Sequence, residues 1–457
     1  MKRFREYHPE QPYLLPPSPL EWLPEDHLAY FVHAVVGELD LSPIVAAHAE
    51  ERGRPPYEPR MMLAVWIYAY AVGIRSSRKV AKALVEDVAF RFLSGNQQVR
   101  YWALNRFRTR HKEALAGLFV KSVQLAERAG LVSLKHVAVD GSKIKAAASK
   151  HKAMSYARMQ VEERKLLKEI NDYLNDCDEL DAGEDELYGE SSGDELPEHL
   201  RSKAGRLKAI QAAMTELEEE AEEKAEAEQA ERRQRAKAEG REYEPRKEPG
   251  EVDPKPAAQC NFTDPESRIM LKGKDVVQAY NAQIAVDAGS QVILAADLSN
   301  LAADAPHLPE IMKQVLMNAG RSPMEVSADA GYYSQENLKV IKGRGGEAFI
   351  PPGKVKHSEW REQVAPKGRA PDGLSDKELM RRKLATKRGK QKYTLRQVTV
   401  EPVFGQVKSA RGLQQFLHIG LAANRCYWRF EAFAHNLLKV FRAQQALKRV
   451  SAGLNRA

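Results

Sequence analysis

A chain of 457 residues, 43% hydrophobic and 29% charged, is long enough for two or three cores and too apolar to be disordered throughout. Its formal net charge of +8 and pI near 9.1 point to a polyanionic partner, with nucleic acid ahead of an anionic membrane surface. Cys177, Cys260 and Cys426 are isolated, with no CxxC pair, which argues against a disulfide framework and a structural zinc site. The longest apolar run, Leu63 to Gly73, is about half of the ~20 residues a membrane span needs, so no membrane partner is expected. No apolar signal core follows Met1, and the expected compartment is the cytoplasm, on the nucleoid when DNA-bound.

In chain order, prolines between Pro9 and Pro19 mark an extended arm. Helical spacing follows over Glu25 to Val35, then from Pro59 through Met61 to Trp66, then from Ser76 to Leu84 with Arg78, Lys79 and Lys82 on the polar face. A basic helix over Trp102 to Glu127 carries Arg106, Arg108 and Arg110 in its first half. Residues 1–130 therefore read as a helical, basic DNA-binding domain in which Arg78, Lys79, Arg106 and Arg108 contact phosphates. The apolar run Val137-Ala138-Val139 then stops on Asp140-Gly141, which reads as a buried strand delivering a carboxylate to a sheet end, with Lys143 and Lys145 just beyond as candidate DNA contacts.

Between residues 154 and 256 the pattern changes. Val161, Leu166, Leu167, Ile170 and Leu174 form one helical stripe and Leu207, Ile210, Met214 and Leu217 another, with the acidic stretch Asp181 to Glu198 between them. This reads as an inserted charged helical hairpin, a candidate clamp on DNA or on a second subunit. Residues 131–153 and 257–447 then make one α/β catalytic domain. Val276 to Val286 and Val292 to Leu298 flank the turn-forming Asp287-Ala288-Gly289-Ser290 and predict an antiparallel hairpin. A helix from Pro306, a second strand ending on Asp329-Ala330-Gly331, a helix capped by Ser334 and a short strand stopped by Pro351 complete the set. Lys354 to Lys392 reads as a basic loop, and the closing helices as Leu395 to Ser409 and Cys426 to Leu447.

Strand, hairpin, helix, strand, helix, strand, helix, with acids at Asp140, Asp329 and Glu401, is the order of a ribonuclease H-like sheet. Converging carboxylates suit Mg²⁺, a hard cation that prefers oxygen ligands. Around them lie Asp140-Gly141-Ser142-Lys143-Ile144-Lys145, Asp329-Ala330-Gly331-Tyr332 and Val400-Glu401-Pro402-Val403-Phe404-Gly405. Together these resemble the DDE transposases of bacterial insertion sequences, in particular the eleven-eighty-two branch of the four/five-like group. The resemblance implies that Asp140, Asp329 and Glu401 are the catalytic, metal-binding triad for two Mg²⁺ ions, with Mn²⁺ as a substitute. It also implies double-stranded DNA as partner, both the terminal inverted repeats and the target, and a homodimer on DNA. The group carries a further signature of Tyr, two residues, Arg, three residues, Glu, six residues, Lys. Tyr393, Arg396, Glu401 and Lys408 follow it except that four residues separate Arg396 from Glu401, and the match implies Arg396 and Tyr393, with Lys408, as outward-facing DNA contacts. Helical spacing would put Glu401, Lys408 and Arg411 on one face, the basic pair toward phosphate. A catalytically silent DNA-binding derivative and a metal-dependent nuclease remain as alternatives.

Overall fold

The computed structural model describes residues 18–47, 56–184, 198–238, 240–241, 253–273, 275–353, 365–371 and 373–454. The expected arm over 1–17, the acidic stretch at 185–197, the linker at 242–252 and the first part of the basic loop, 354–364, lie outside the described residues.

Among the described residues seven α-helices precede the first strand: α1 (Leu28–Glu38), α2 (Ser42–Ala46), α3 (Pro59–Ala71), α4 (Ser77–Glu86), α5 (Val88–Leu93), α6 (Tyr101–Arg110) and α7 (Lys112–Arg128). Their starts follow local chemistry. Glu58 accepts from the Met61 N–H while Pro59 fills the first turn, where a missing N–H costs nothing, and Asp87 accepts from the Ala89 and Phe90 N–H groups. Helix α3 is buried at every residue from Met62 to Ala71, so it is surrounded rather than amphipathic. Its Tyr70 meets Phe430 of the long closing helix α14 (Leu421–Leu454) edge-on at 4.7 Å, and α7 runs along the same helix. The buried side chains of these helices and of the sheet form one continuous cluster, from Trp66 and Phe90 through Val139 and Ile284 to Phe433.

The sheet contains β1 (Val137–Lys145), β4 (Arg268–Lys272), β5 (Asp275–Asp287), β6 (Ile293–Ser299), β7 (Glu325–Ser327) and β8 (Glu347–Phe349), in the order β4-β5-β1-β7-β8 with β6 also on β5. Pairings to β5 are antiparallel, whereas β1–β7 and β7–β8 are parallel. Helices α10 (Leu308–Ala319) and α11 (Gln335–Gly343) supply the crossovers that parallel neighbours require. One expectation is corrected here. Strand β1 does not stop at Asp140, because β5 goes on pairing with it from Asp140 opposite Ile284 to Lys145 opposite Ala279. What ends beside Asp140 is the short parallel ladder to β7, Val137 with Val326 and Ala138 with Ser327.

Helices α8 (Tyr156–Glu184) and α9 (Glu198–Ala238) leave from β2 (Ala153–Ser155) and return to its antiparallel partner β3 (Gln259–Asn261). They pack on each other through Tyr156, Met159 and Leu166 against Ile210, Ala213 and Leu217. Val161 and Leu167, expected on that stripe, are exposed. A two-helix seam covers only a narrow stripe, and ion pairs of Lys203 with Glu169 (2.8 Å) and Arg206 with Glu162 (2.9 Å) flank it.

The second half of the expected basic loop is helical instead. Helix α12 (Asp376–Ala385) starts at a reciprocal cap between Ser375 and Glu378, and α13 (Lys387–Gly405) follows at once, eight residues earlier than sequence spacing placed it. Acids on β7 and on the edge strand β8 hold these cations: Glu325 binds Arg388 (3.0 Å) and Lys392 (2.6 Å), and Glu347 binds Lys383 (2.9 Å) and Arg388 (2.5 Å).

Candidate active site

Asp140 is the fourth residue of β1, at the point where β7 leaves that strand, and Asp329 lies two residues beyond the end of β7. Asp329 is the N-cap of a single 3₁₀ turn, Ala330–Tyr332, and accepts from the Gly331 N–H at 2.9 Å. The two carboxylates feel each other. Burial pushes Asp140 up to about 6, the Arg396 guanidinium opposes that rise, and the negative charges of Asp329 and Asp304 add to it. Tyr332 is buried beneath them and donates its hydroxyl to Gln283 Oε1.

Helix α13 crosses this point and presents Arg396 to Asp140, Nη1 to Oδ2 at 3.0 Å, with the guanidinium 5.6 Å from the Tyr393 ring centroid. The pair that is one residue out of step with the signature is thus at the carboxylate, and Arg396 holds an acid rather than facing outward. Glu401 lies five residues further along the same helix. It is exposed, and its carboxylate makes no hydrogen bond or ion pair among the described residues. Among the described residues no group of three or more His, Cys, Asp or Glu side chains is arranged to hold a metal ion.

Pro402 explains how the helix is held here. Lacking an N–H, it leaves the Val398 carbonyl without its helical donor, and Gln291 Nε2 takes that place at 3.3 Å. Gln291 sits at φ +61° in the β5–β6 turn, and its side-chain and backbone oxygens also accept from Lys439 (2.7 Å) and pair with His435 (2.9 Å). After Gly405 the helix widens into a π-turn, Gln406–Ala410.

That turn separates the three residues expected on one face. Lys408 points at Asp140's side of β1, donating to Ser142 Oγ. Burial, and behind it the neighbouring Lys272, lower its ammonium to about 8. Arg411 falls past the turn and is corrected from a phosphate contact to a buried one, bound to Glu431 at 2.9 Å and beside His435. Lys143 shares the face of Gly141, opposite Asp140, and pairs with Asp304 at 3.0 Å. Lys145 is on that face too and is exposed.

On the front helices, Arg78, Lys79 and Arg106 are exposed, whereas Arg108 is buried between the Trp66 and Tyr427 rings and donates to the Arg75 carbonyl. Arg108 is therefore a packing residue of the helix layer. Arg78 and Arg106 line an open groove of about 990 Å³ with the exposed Tyr101 and Trp102.

Three residues of the site escaped the sequence reading: Asp304, Asn281 and Gln283. The signal for the last two was present, since they are polar residues two apart in a strand whose neighbours Tyr280, Ala282 and Ile284 are all buried.

Residues 17–110 match the family described as Transposase domain (DUF772), and residues 245–437 match the Transposase DDE domain. Both are transposase domains. The chain is accordingly consistent with a DDE transposase, an enzyme class of the transposase or nuclease kind. No curated protein and no solved structure matches the chain. The second match contains Asp329 and Glu401 but begins after Asp140, which the α8–α9 pair separates from it in sequence and β1–β5 pairing returns to it in space.

Proposed function

We propose that the chain is a DNA transposase of a bacterial insertion sequence, of the eleven-eighty-two type. It would bind the terminal inverted repeats of its element, cut the DNA at each end and join the freed ends to target DNA. The observation that carries this reading is the meeting of Asp140 and Asp329 where β1 and β7 part, in a chain with two transposase domain matches. The strand order, with β6, β5 and β1 antiparallel and β7 and β8 parallel, supports a ribonuclease H-like sheet.

The donor set fits Mg²⁺ or Mn²⁺: Asp140 and Asp329 offer only oxygen, and the raised Asp140 is an acid whose charge lacks sufficient compensation. Glu401 is not gathered with the two aspartates in this structure and would have to come to them to complete the set; among the described residues its side chain has no partner to give up. Two such ions, when bound, supply Lewis acidity at the scissile phosphate and activate the attacking oxygen. In the first reaction water oxygen bonds to phosphorus and gives up a proton to solvent, the P–O3′ bond breaks, and the leaving oxygen takes a proton from solvent to become the 3′-hydroxyl. In the second that hydroxyl attacks a target phosphorus, its proton passes to solvent, and a target 3′-hydroxyl leaves. No bond forms between protein and DNA. Arg396 holds Asp140 in place between turnovers, while Lys408, on Asp140's face of β1, neutralises backbone phosphate. Joining two ends calls for at least two copies of the chain on DNA.

The test is a labelled transposon-end duplex incubated with the full chain in Mg²⁺ or EDTA. Metal-dependent 3′-end nicking followed by joining is the expected result. Binding without cutting would replace this reading with a silent DNA-binding protein, and cutting without joining would replace it with a nuclease.

Lys408 gives a second expected result. Its ammonium is complete well below pH 8 and is lost as the pH rises through about 8. Contact with phosphate draws the proton back, so end binding at pH 8.5 should take up about half to one proton, by linkage. Calorimetry in two buffers of different ionisation heat measures it, and Lys408→Arg should abolish the uptake. Equal uptake in that variant would place the proton elsewhere.

A further inference from the structure

We propose that Asp304 is a positioning residue that fixes the separation of Asp140 and Asp329. The inference rests on reading those two as a metal-binding pair. Asp304 lies in the β6–α10 connection, behind β1 on the face opposite Asp140. Its carboxylate is wedged between two glycines. A methyl carbon on Gly141, the residue after Asp140, would come 2.8 Å from Asp304 Oδ1. One on Gly331, in the turn that Asp329 caps, would come 3.3 Å from Asp304 Oδ2 and 3.0 Å from Asp329 Oδ1. One oxygen thus backs each acidic segment.

The wedge is itself held. Asp304 Oδ1 accepts from Lys143 Nζ (3.0 Å), Asn281 Nδ2 (2.8 Å) and Gln283 Nε2 (2.9 Å). Lys143 belongs to β1 and the two amides to β5, so three donors from two strands meet one oxygen. Asn281 Nδ2 also donates to the Leu301 carbonyl at 3.1 Å, and Gln283 Oε1 accepts from Tyr332 of the Asp329 turn. The network therefore runs from β1 behind Asp140, through β5, to the turn bearing Asp329, with Asp304 at its junction. Asp304 is only partly exposed, and Lys143 compensates its charge locally.

Supporting residues of this kind typically change metal affinity by about 10–100-fold when removed. A displacement of about 1 Å at a reacting centre costs on the order of 10²-fold in rate. The experiment compares the full-length wild type with Asp304→Ala and Asp304→Asn. Mn²⁺ binding is measured by electron paramagnetic resonance without DNA, and end cleavage is measured against Mg²⁺ concentration, alongside end affinity and thermal midpoint. Asp304→Ala should weaken Mn²⁺ binding and raise the half-saturating Mg²⁺ by about tenfold or more. Its end affinity should remain that of the wild type. Asp304→Asn, which keeps the wedge and an acceptor for the three donors, should recover most of the loss.

Wild-type Mn²⁺ affinity in Asp304→Ala overturns the proposal alone. So does a variant that loses fold, DNA and metal together without rescue by Asn, which marks a general structural role. A wild type that neither binds Mn²⁺ nor cuts overturns the transposase reading, and this inference with it.

Discussion

Asp140→Asn and Asp329→Asn should each lower metal-dependent cleavage of a transposon end by on the order of 10³-fold, about 4 kcal/mol of transition-state stabilisation. Each change keeps shape and removes one charge, so end affinity should hold. The two variants should differ in stability. Asp140 is pushed up to about 6 by burial and by the charges of Asp329 and Asp304 even with Arg396 beside it, so a neutral amide there removes a net cost of burying charge. Among the described residues the Asp329 side chain accepts only from the Gly331 N–H in its own turn, an acceptor role that the Asn side-chain oxygen retains. The expected order is therefore a higher thermal midpoint at neutral pH for Asp140→Asn than for Asp329→Asn at equal loss of cleavage. Glu401→Gln should lower cleavage without moving the midpoint, since the Glu401 side chain has no partner among the described residues. If Glu401→Gln cuts like the wild type while the aspartate variants are dead, the third acid must be sought elsewhere.

How far the site was legible in sequence follows from where each partner lies. Asp140 and Asp329 stand out because an apolar run that ends on Asp-Gly is a local pattern. Asp304 does not, because before Ala305-Pro306 it looks like any helix-start acid, and its role depends on glycines more than twenty residues away on either side. The start of α13 was missed for a related reason. Lys387 to Lys392 is too basic to suggest an ordered helix, and the acids that neutralise it, Glu325 and Glu347, are on strands. Arg411 was misplaced because helical spacing was carried through Pro402 and the π-turn, where it no longer holds. Arg108 was grouped with exposed cations because periodicity gives a face but not what covers it, and Tyr427 covers it.

The largest stability effect should come from Glu431→Ala, far from the carboxylates. Glu431 is 2% exposed and accepts from two arginines, Arg75 at 2.7 Å and Arg411 at 2.9 Å, themselves 9% and 7% exposed. Arg75 follows α3, Arg411 follows the π-turn and Glu431 lies on α14, so one carboxylate ties the front helices to the end of the catalytic segment. Arg75 also donates to the Arg411 carbonyl at 2.5 Å, and Arg411 meets His435, whose imidazole burial pushes down to about 3 and so keeps neutral. No other anion contacts either guanidinium within the described residues. Removing the acid therefore leaves two cations buried and uncompensated, a loss of about 3–5 kcal/mol for a broken buried pair. A fall of that size in denaturant unfolding of the full chain, reduced by roughly half in Glu431→Gln, is the expected outcome. Arg75→Met together with Glu431→Met should be less damaging than Glu431→Ala, because replacing charges by apolar bulk removes desolvation as well as attraction. A loss under about 1 kcal/mol in Glu431→Ala would mean that water reaches the cluster, as it does in exposed ion pairs, and that the front helices are joined to the sheet by apolar packing alone.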